Sequence, residues 1–227
     1  MTILENYSRV KDKIAASASR QGRDLSEITL VAVSKGYPWD YIQPIYAAGA
    51  KDFGENRVQE ALDKRKQAPN DIRWHMIGHL QSHKVKKIMG AFSLLHSVDS
   101  FELAQKISKT SLEMGLTTSI LLQANTSGEK SKQGLNPNEW KMVFEKVMDL
   151  PGIHVEGWMT MAPYVEDEKI IRDCFVDLRK LRDDLNAQLS NDKKIRHLSM
   201  GMSHDFHWAI AEGATILRIG TAIFHQT

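Results

Sequence analysis

A single cysteine, Cys174, is the only thiol in this chain of 227 residues, so no disulfide can form within it. That usage fits a reducing compartment. Cys174 follows the apolar spacing of a helix, which favours a place in the core over a nucleophilic role.

The sequence also lacks an excess of charge of one sign, because 30 Lys and Arg residues against 28 Asp and Glu residues leave a net charge of +2. We therefore expect neither a nucleic acid nor an anionic membrane as partner.

Long hydrophobic runs are also lacking. The apolar runs are four or five residues long, as at 30–33, whereas a bilayer crossing needs roughly 20. The amino terminus alternates apolar and charged residues and has no continuous apolar segment of the kind that a secretory signal contains. The sequence therefore predicts a soluble, cytoplasmic protein.

Several catalytic and nucleotide-binding motifs are missing. The chain contains no Gly-x-Gly-x-x-Gly, no Gly-x-Ser-x-Gly and no His-Glu-x-x-His. Three histidines, His75, His79 and His83, stand four residues apart and would share one face if they lay on a helix. The segment around His75 is typical of a strand, however, and Gly78 would interrupt a helix. We therefore predict no metal site.

The composition is that of an ordinary globular protein, with 42% hydrophobic and 26% charged residues. Short apolar segments alternate with amphipathic ones along the whole chain. The predicted strands are 28–34, 51–54, 73–78, 94–98, 118–124, 153–159, 197–200 and 214–219. The predicted helices are 3–20, 40–48, 56–67, 82–89, 99–114, 137–148, 167–189 and 204–212.

Regular alternation of this kind is typical of parallel βαβ units, and eight strands suggest a closed barrel. We predict an α/β fold, a single-domain (β/α)8 barrel of the TIM type over residues 1–227. The extra N-terminal helix at 3–20 takes the place of the missing last helix. A doubly wound open sheet is the competing fold, but it would show a glycine-rich dinucleotide turn or a clear edge strand, and neither is evident.

In a barrel of this type the functional site lies where the strands end, so Lys35, which directly follows the first strand, is a candidate. A Lys whose head lay inside the barrel mouth would have a lowered pKa, and a neutral amine is what Schiff-base chemistry requires. The alternative is a strand-end Lys that extends to water. Position alone leaves both open.

Two loops after the seventh and eighth strands are suited to an anion. Ser199–Ser203 offers hydroxyls and backbone N–H groups before a helix, and Gly220 and Thr221 form a second such loop. TIM barrels often bind phosphate at these two strands. The simpler alternative is capping of the helix by Ser203. Arg218, which precedes the second loop, is either part of a structural ion pair or a fixed cation that faces a ligand.

At these strand ends the sequence resembles the pyridoxal phosphate homeostasis protein family, which shares its barrel type with the N-terminal domain of bacterial alanine racemase. The matching motifs lie between residues 31 and 224, so the resemblance covers nearly the whole chain. They are Ala32-Val33-Ser34-Lys35, Asp52-Phe53-Gly54-Glu55-Asn56, Trp74-His75-Met76-Ile77-Gly78-His79-Leu80-Gln81, Leu198-Ser199-Met200-Gly201-Met202-Ser203 and Arg218-Ile219-Gly220-Thr221-Ala222-Ile223-Phe224. The chain departs from the family pattern at His83, where Asn is usual, and at its last three residues.

The resemblance implies a site for pyridoxal 5′-phosphate (PLP), with Lys35 holding the cofactor as an internal aldimine. It implies that Arg218 faces the pyridine nitrogen and that Asn56 lies beside the cofactor. The residues implied near the phosphate are Ser199, Gly220 and Thr221, with Met200 and Ser203 as neighbours.

The resemblance favours a carrier over an enzyme. An Arg that faces the pyridine nitrogen should keep that nitrogen unprotonated, which makes the cofactor a poor electron sink, although racemases of this barrel type work with an Arg there. The resembling racemase takes its second base, a Tyr, from a separate β domain, whereas this sequence has three residues after Phe224. We expect a monomeric, non-catalytic protein that buffers PLP and delivers it to apo-enzymes. The alternative is a small PLP-dependent amino-acid racemase, and an aldolase that uses Lys35 ranks last.

Overall fold

The computed structural model describes residues 2–129 and 132–225, and its eight apolar segments all form short parallel strands. The strands are β1 Thr29–Val33, β2 Asp52–Glu55, β3 Arg73–Met76, β4 Leu94–Val98, β5 Thr118–Gln123, β6 Ile153–Met159, β7 His197–Ser199 and β8 Ile216–Ile219. Each strand pairs with its neighbours in sequence, and β8 also pairs with β1. The predicted α/β barrel is therefore confirmed. The open sheet is wrong, because in such a sheet β1 and β8 would not pair with each other.

Helices follow the strands and form the outer layer. They are α1 Ile3–Arg20, α2 Trp39–Ala47, α3 Val58–Gln67, α4 Val85–Ile88, α5 Phe101–Glu113, α6 Pro137–Met148, α7 Glu168–Asn186, α8 Phe206–Ala211 and α9 Thr221–Phe224. Local sequence fixes several of their ends. Asn136 caps α6 together with Glu139, and the Ser100 hydroxyl accepts a hydrogen bond from the Leu103 N–H at the start of α5.

The strands are apolar because both of their faces are covered. Alternate residues of β1 belong to different clusters: Ala32 joins the large core that contains the helix residues, whereas Val31 joins a small second cluster. That second cluster draws one residue from each of five strands, namely Val31, Leu94, Leu121, Met159 and Ile216. A small barrel is filled by inward-facing side chains in this way.

The N-terminal helix α1 covers the junction at which β8 pairs with β1. Its apolar face is buried, and the buried Asn6 side chain donates to the Ile223 carbonyl of α9 at 3.2 Å. The four-residue α9 follows β8 and was not predicted. The place of a full eighth helix is thus shared between α1 and α9. Among the helices within 2–129 and 132–225, none combines the length and apolar character needed to cross a membrane.

Candidate functional site

Closure of the barrel brings residues from both ends of the sequence to one place. Ala32 in β1 lies opposite Ile219 in β8, and Val33 lies opposite Gly54 in β2. The carboxyl ends of β8, β1 and β2 are therefore neighbours. Arg218 with the loop after β8, Lys35 after β1 and Asn56 after β2 all lie at this end of the barrel.

Lys35 is exposed, while the backbone on both sides of it is anchored. The buried Lys64 ammonium donates to the Ser34 carbonyl at 2.6 Å, and the Gly36 N–H donates to the Glu60 carboxylate. The Lys35 side chain therefore extends to water, which is the alternative that its position in the sequence left open. An accessible amine on a fixed loop can react with an aldehyde that enters the mouth.

A buried ion cluster beneath this loop holds it in place. Lys64 lies 2.7 Å from Glu55 and 2.8 Å from Glu60, and the Ser34 hydroxyl donates to the same Glu55 oxygen at 2.5 Å. Burial raises the pKa of Glu55, against the opposing effect of its hydrogen bonds from Lys64 and Ser34. Sequence reasoning missed Lys64. The available signal was Glu55, a carboxylate at the end of a buried strand.

Arg218 is buried, with 4% of its surface exposed. Its guanidinium donates to the Ser199 hydroxyl at 2.6 Å and to the Thr160 carbonyl at 2.8 Å, both of them neutral acceptors. Within the described residues no carboxylate lies at ion-pair distance from it. Burial lowers the pKa of Arg218 to about 10. Of the two interpretations of the sequence, the structural ion pair is not found among the described residues, and the fixed cation stays a prediction.

Ser199 and Met200 have no exposed surface at all. The Ser199 hydroxyl accepts from Arg218 and also lies 2.8 Å from Nδ1 of His96. The resemblance implies that Ser199 touches the phosphate and that Met200 is a neighbour of the cofactor. Because neither residue presents surface to the mouth, the geometry favours an indirect role for both, in which Ser199 holds Arg218.

The loops after β7 and β8 are joined to each other through Ser203. Its hydroxyl accepts from the Ala222 N–H at 3.1 Å. Helix α8 begins at Phe206, not at 204 as predicted, and Asp205 occupies the capping position. Ser203 therefore does not cap α8, because its hydroxyl is already bound to the other loop.

This pair of loops offers backbone donors. The backbone N–H groups of Ser203, Gly220 and Thr221 make no hydrogen bond within 2–129 and 132–225. Gly220 lies close to β1, since a Cβ atom there would be 3.3 Å from both Cβ and the carbonyl oxygen of Val33. The donors are thus held against the strand that leads to Lys35, as an anion site requires.

Asn56 is half-buried at the end of β2, beside the turn after β3. A Cβ atom on Gly78 would lie 2.2 Å from the Asn56 carbonyl oxygen, so glycine permits this close approach.

The three histidines that are spaced four residues apart do not share one face. His75 lies buried in β3, whereas His79 is exposed beside Asp99 at 3.1 Å. His83 lies exposed in a 3-10 turn.

Comparison with known proteins agrees with this geometry. The family model described as "Alanine racemase, N-terminal domain" matches residues 6–227. The chain is 43% identical, over all of its length and 99% of the other chain, to the pyridoxal phosphate homeostasis protein of Aquifex aeolicus. It is 40% identical to that of Pseudomonas aeruginosa, over 98% of this chain and 95% of the other.

Solved structures share the fold of this chain. PipY of Synechococcus elongatus, solved with PLP bound, is 35% identical with a TM-score of 0.81, covering 93% of this chain and 99% of its own. An alanine racemase of Clostridium difficile shares the fold at 15% identity, with a TM-score of 0.75 over 96% of this chain and 56% of its own. This chain belongs to the alanine racemase N-terminal domain family and, within it, to the pyridoxal phosphate homeostasis proteins.

Proposed function

We propose that this chain binds PLP at the carboxyl end of the barrel and serves as a carrier that buffers and delivers the cofactor. The observation that carries the proposal is the pairing of β8 with β1. It brings the strand ends that carry Lys35, Arg218 and Gly220 next to one another. We extend the proposal to residues 1–227 as one binding domain, which acts as a monomer and hands PLP to apo-enzymes.

The residues at this end fit the cofactor group by group. The exposed Lys35 amine suits the aldehyde, and the buried Arg218 guanidinium suits the ring nitrogen. The N–H groups of Gly220 and Thr221, which have no hydrogen-bond partner among the described residues, suit the phosphate. We assign Asn56 and Ser203 to the rim of the same site. Ser199 and Met200 support it from behind, because both are fully buried. That PipY is solved with PLP bound supports the same ligand.

The charge of Arg218 supports weak carbanion chemistry at the proposed site. Bound PLP serves in enzymes as an electron sink for amino-acid substrates. A cation beside the ring nitrogen disfavours its protonation, since two adjacent positive charges repel, and an unprotonated ring is a weaker sink. The relatives' name of homeostasis protein points the same way. The likeness to alanine racemase, at 15% identity, concerns the fold alone.

A turnover assay separates the carrier from the racemase alternative. The protein is loaded with PLP, incubated with L-alanine and other L-amino acids, and analysed for D-isomers. We expect turnover far below about 1 s⁻¹, the low end for ordinary enzymes. In parallel, addition of the loaded protein to a PLP-dependent apo-enzyme should restore that enzyme's activity. Racemisation at or above about 1 s⁻¹ would show that the carrier proposal is wrong.

A further inference from the structure

A line of hydrogen-bonded side chains crosses the barrel interior and ends at Arg218. It starts at Asp52, the first residue of β2, whose Oδ1 lies 3.0 Å from Nε2 of His75. Nδ1 of His75 lies 2.9 Å from Nε2 of His96, and Nδ1 of His96 lies 2.8 Å from the Ser199 hydroxyl. That hydroxyl is 2.6 Å from Arg218. The line therefore connects five strands and joins the amino end of the barrel to the proposed cofactor site.

One direction of donation satisfies both charged ends with a single proton on each imidazole. A guanidinium has only donors, so the Ser199 oxygen accepts from Arg218, and its own hydroxyl proton is also bonded when it is donated to Nδ1 of His96. An ionised carboxylate has only acceptors, so Nε2 of His75 must donate to Asp52. The remaining bond then runs from Nε2–H of His96 to Nδ1 of His75. Both imidazoles are neutral in this arrangement, and both carry their proton on Nε2.

Surrounding charges agree with this arrangement. Burial holds the pKa of His96 well below its ordinary value, and the positive charge of Arg218 acts in the same direction. Arg73 also bonds the carboxylate of Asp52, donating from Nε to the same Oδ1 at 2.7 Å and from Nη2 to Oδ2 at 2.5 Å. Burial opposes ionisation of Asp52, but its bonds to His75 and Arg73 prevail and lower its pKa.

The line explains how a buried cation stays oriented without a carboxylate next to it. A carboxylate in direct contact would occupy the guanidinium fork in a bidentate pair. A neutral hydroxyl that is aligned by a distant carboxylate orients Arg218 and leaves its charge free for a ligand. We propose that Asp52, His75 and His96 are positioning residues, which act through Ser199 to hold Arg218 toward the cofactor ring. The role toward the ring rests on the proposed function, whereas the direction of the bonds does not.

The direct test measures the histidine protons in the protein without PLP. Nitrogen-15 NMR of the ring nitrogens should show His75 and His96 each protonated on Nε2 and unprotonated on Nδ1. In Asp52→Asn the new amide can donate, so the line can reverse and the proton of His96 should move to Nδ1. The same loss of orientation follows when Asn replaces the Asp beside a catalytic histidine. Arg73→Gln is the matched control, because it removes the same ion pair but keeps the carboxylate, and the tautomers should not change.

A second arm measures PLP binding by the same variants. Asp52→Asn should bind PLP about tenfold more weakly, the lower range for loss of a group that orients a ligand-binding side chain. Arg73→Gln should match the wild type, and both should still be labelled on Lys35 after borohydride reduction. A wild-type chain that binds no PLP would refute the proposed function and leave the tautomer result standing. The positioning proposal is overturned if wild-type His96 carries its proton on Nδ1, and this result needs no folded variant. It is also overturned if folded Asp52→Asn keeps the wild-type tautomers of both histidines and the wild-type affinity for PLP.

Discussion

Pyridoxal, which has the aldehyde of PLP but no phosphate, should bind this chain at least about a hundredfold more weakly than PLP. The N–H groups of Ser203, Gly220 and Thr221 would donate to the dianion, and each charge-assisted bond contributes roughly 1.5–3 kcal/mol. Loss of only two such bonds costs about 3 kcal/mol, and about 1.4 kcal/mol is tenfold in affinity. Titration of the apo-protein with each compound, followed by absorbance, measures the ratio directly.

A variant at Gly220 locates the effect. Gly220→Val should push the loop away from β1, because even the first added carbon would lie 3.3 Å from Val33. We expect this variant to bind PLP about as weakly as the wild type binds pyridoxal, with its affinity for pyridoxal nearly unchanged. Thr221→Val is the matched control, since Thr221 is exposed and its backbone N–H remains. Equal wild-type affinities for the two compounds would show that the anion site is misplaced.

Replacement of Lys64 should be the most destabilising single change near the site. Lys64→Met leaves the buried Glu55 carboxylate without its cation, and breaking a buried ion pair in this way costs about 3–5 kcal/mol. The loop that carries Lys35 also loses the bond to the Ser34 carbonyl. Urea unfolding at pH 7 measures the change in the free energy of unfolding.

Two comparisons separate the ion pair from simple packing. The double variant Glu55→Gln with Lys64→Met has no unpaired charge and should regain most of the lost stability. The deficit of Lys64→Met alone should also shrink in acid. Burial already raises the pKa of Glu55, and without Lys64 it rises further, so the carboxyl binds a proton in the folded state as the pH falls. A single variant that loses less than about 1 kcal/mol, as exposed ion pairs do, would contradict this account of the cluster.

Hydrophobic patterning predicted the barrel because every strand is covered on both faces and every long helix on one. The short elements are where the prediction failed. The segment 82–89 forms a 3-10 turn, Ser82–Lys84, followed by the single-turn α4, and no periodicity can be read over so few residues. Helix α9 was not predicted for the same reason, because it has only four residues.

The proposed site was predictable where a residue follows a strand, and unpredictable where two strands must meet in register. Lys35, Asn56 and Gly220 stand at strand ends that the sequence reveals. The line through the barrel is different, because Ser199 and His96 are 103 residues apart and meet only when the barrel closes. In the sequence, His96 is one polar residue in an apolar strand, with nothing to distinguish a core histidine from one that bonds across the interior.

The most direct test of the central claim is to find where PLP attaches to this chain. The purified protein is incubated with PLP, reduced with borohydride, digested and analysed by mass spectrometry of its peptides. The account predicts that the pyridoxyl group is found on the peptide that contains Lys35, and that Lys35→Ala carries none, while Lys132→Ala, a control in another loop at the same end of the barrel, is labelled like the wild type. Label found mainly on a different lysine of the wild-type chain, or no stable label at all, would contradict it.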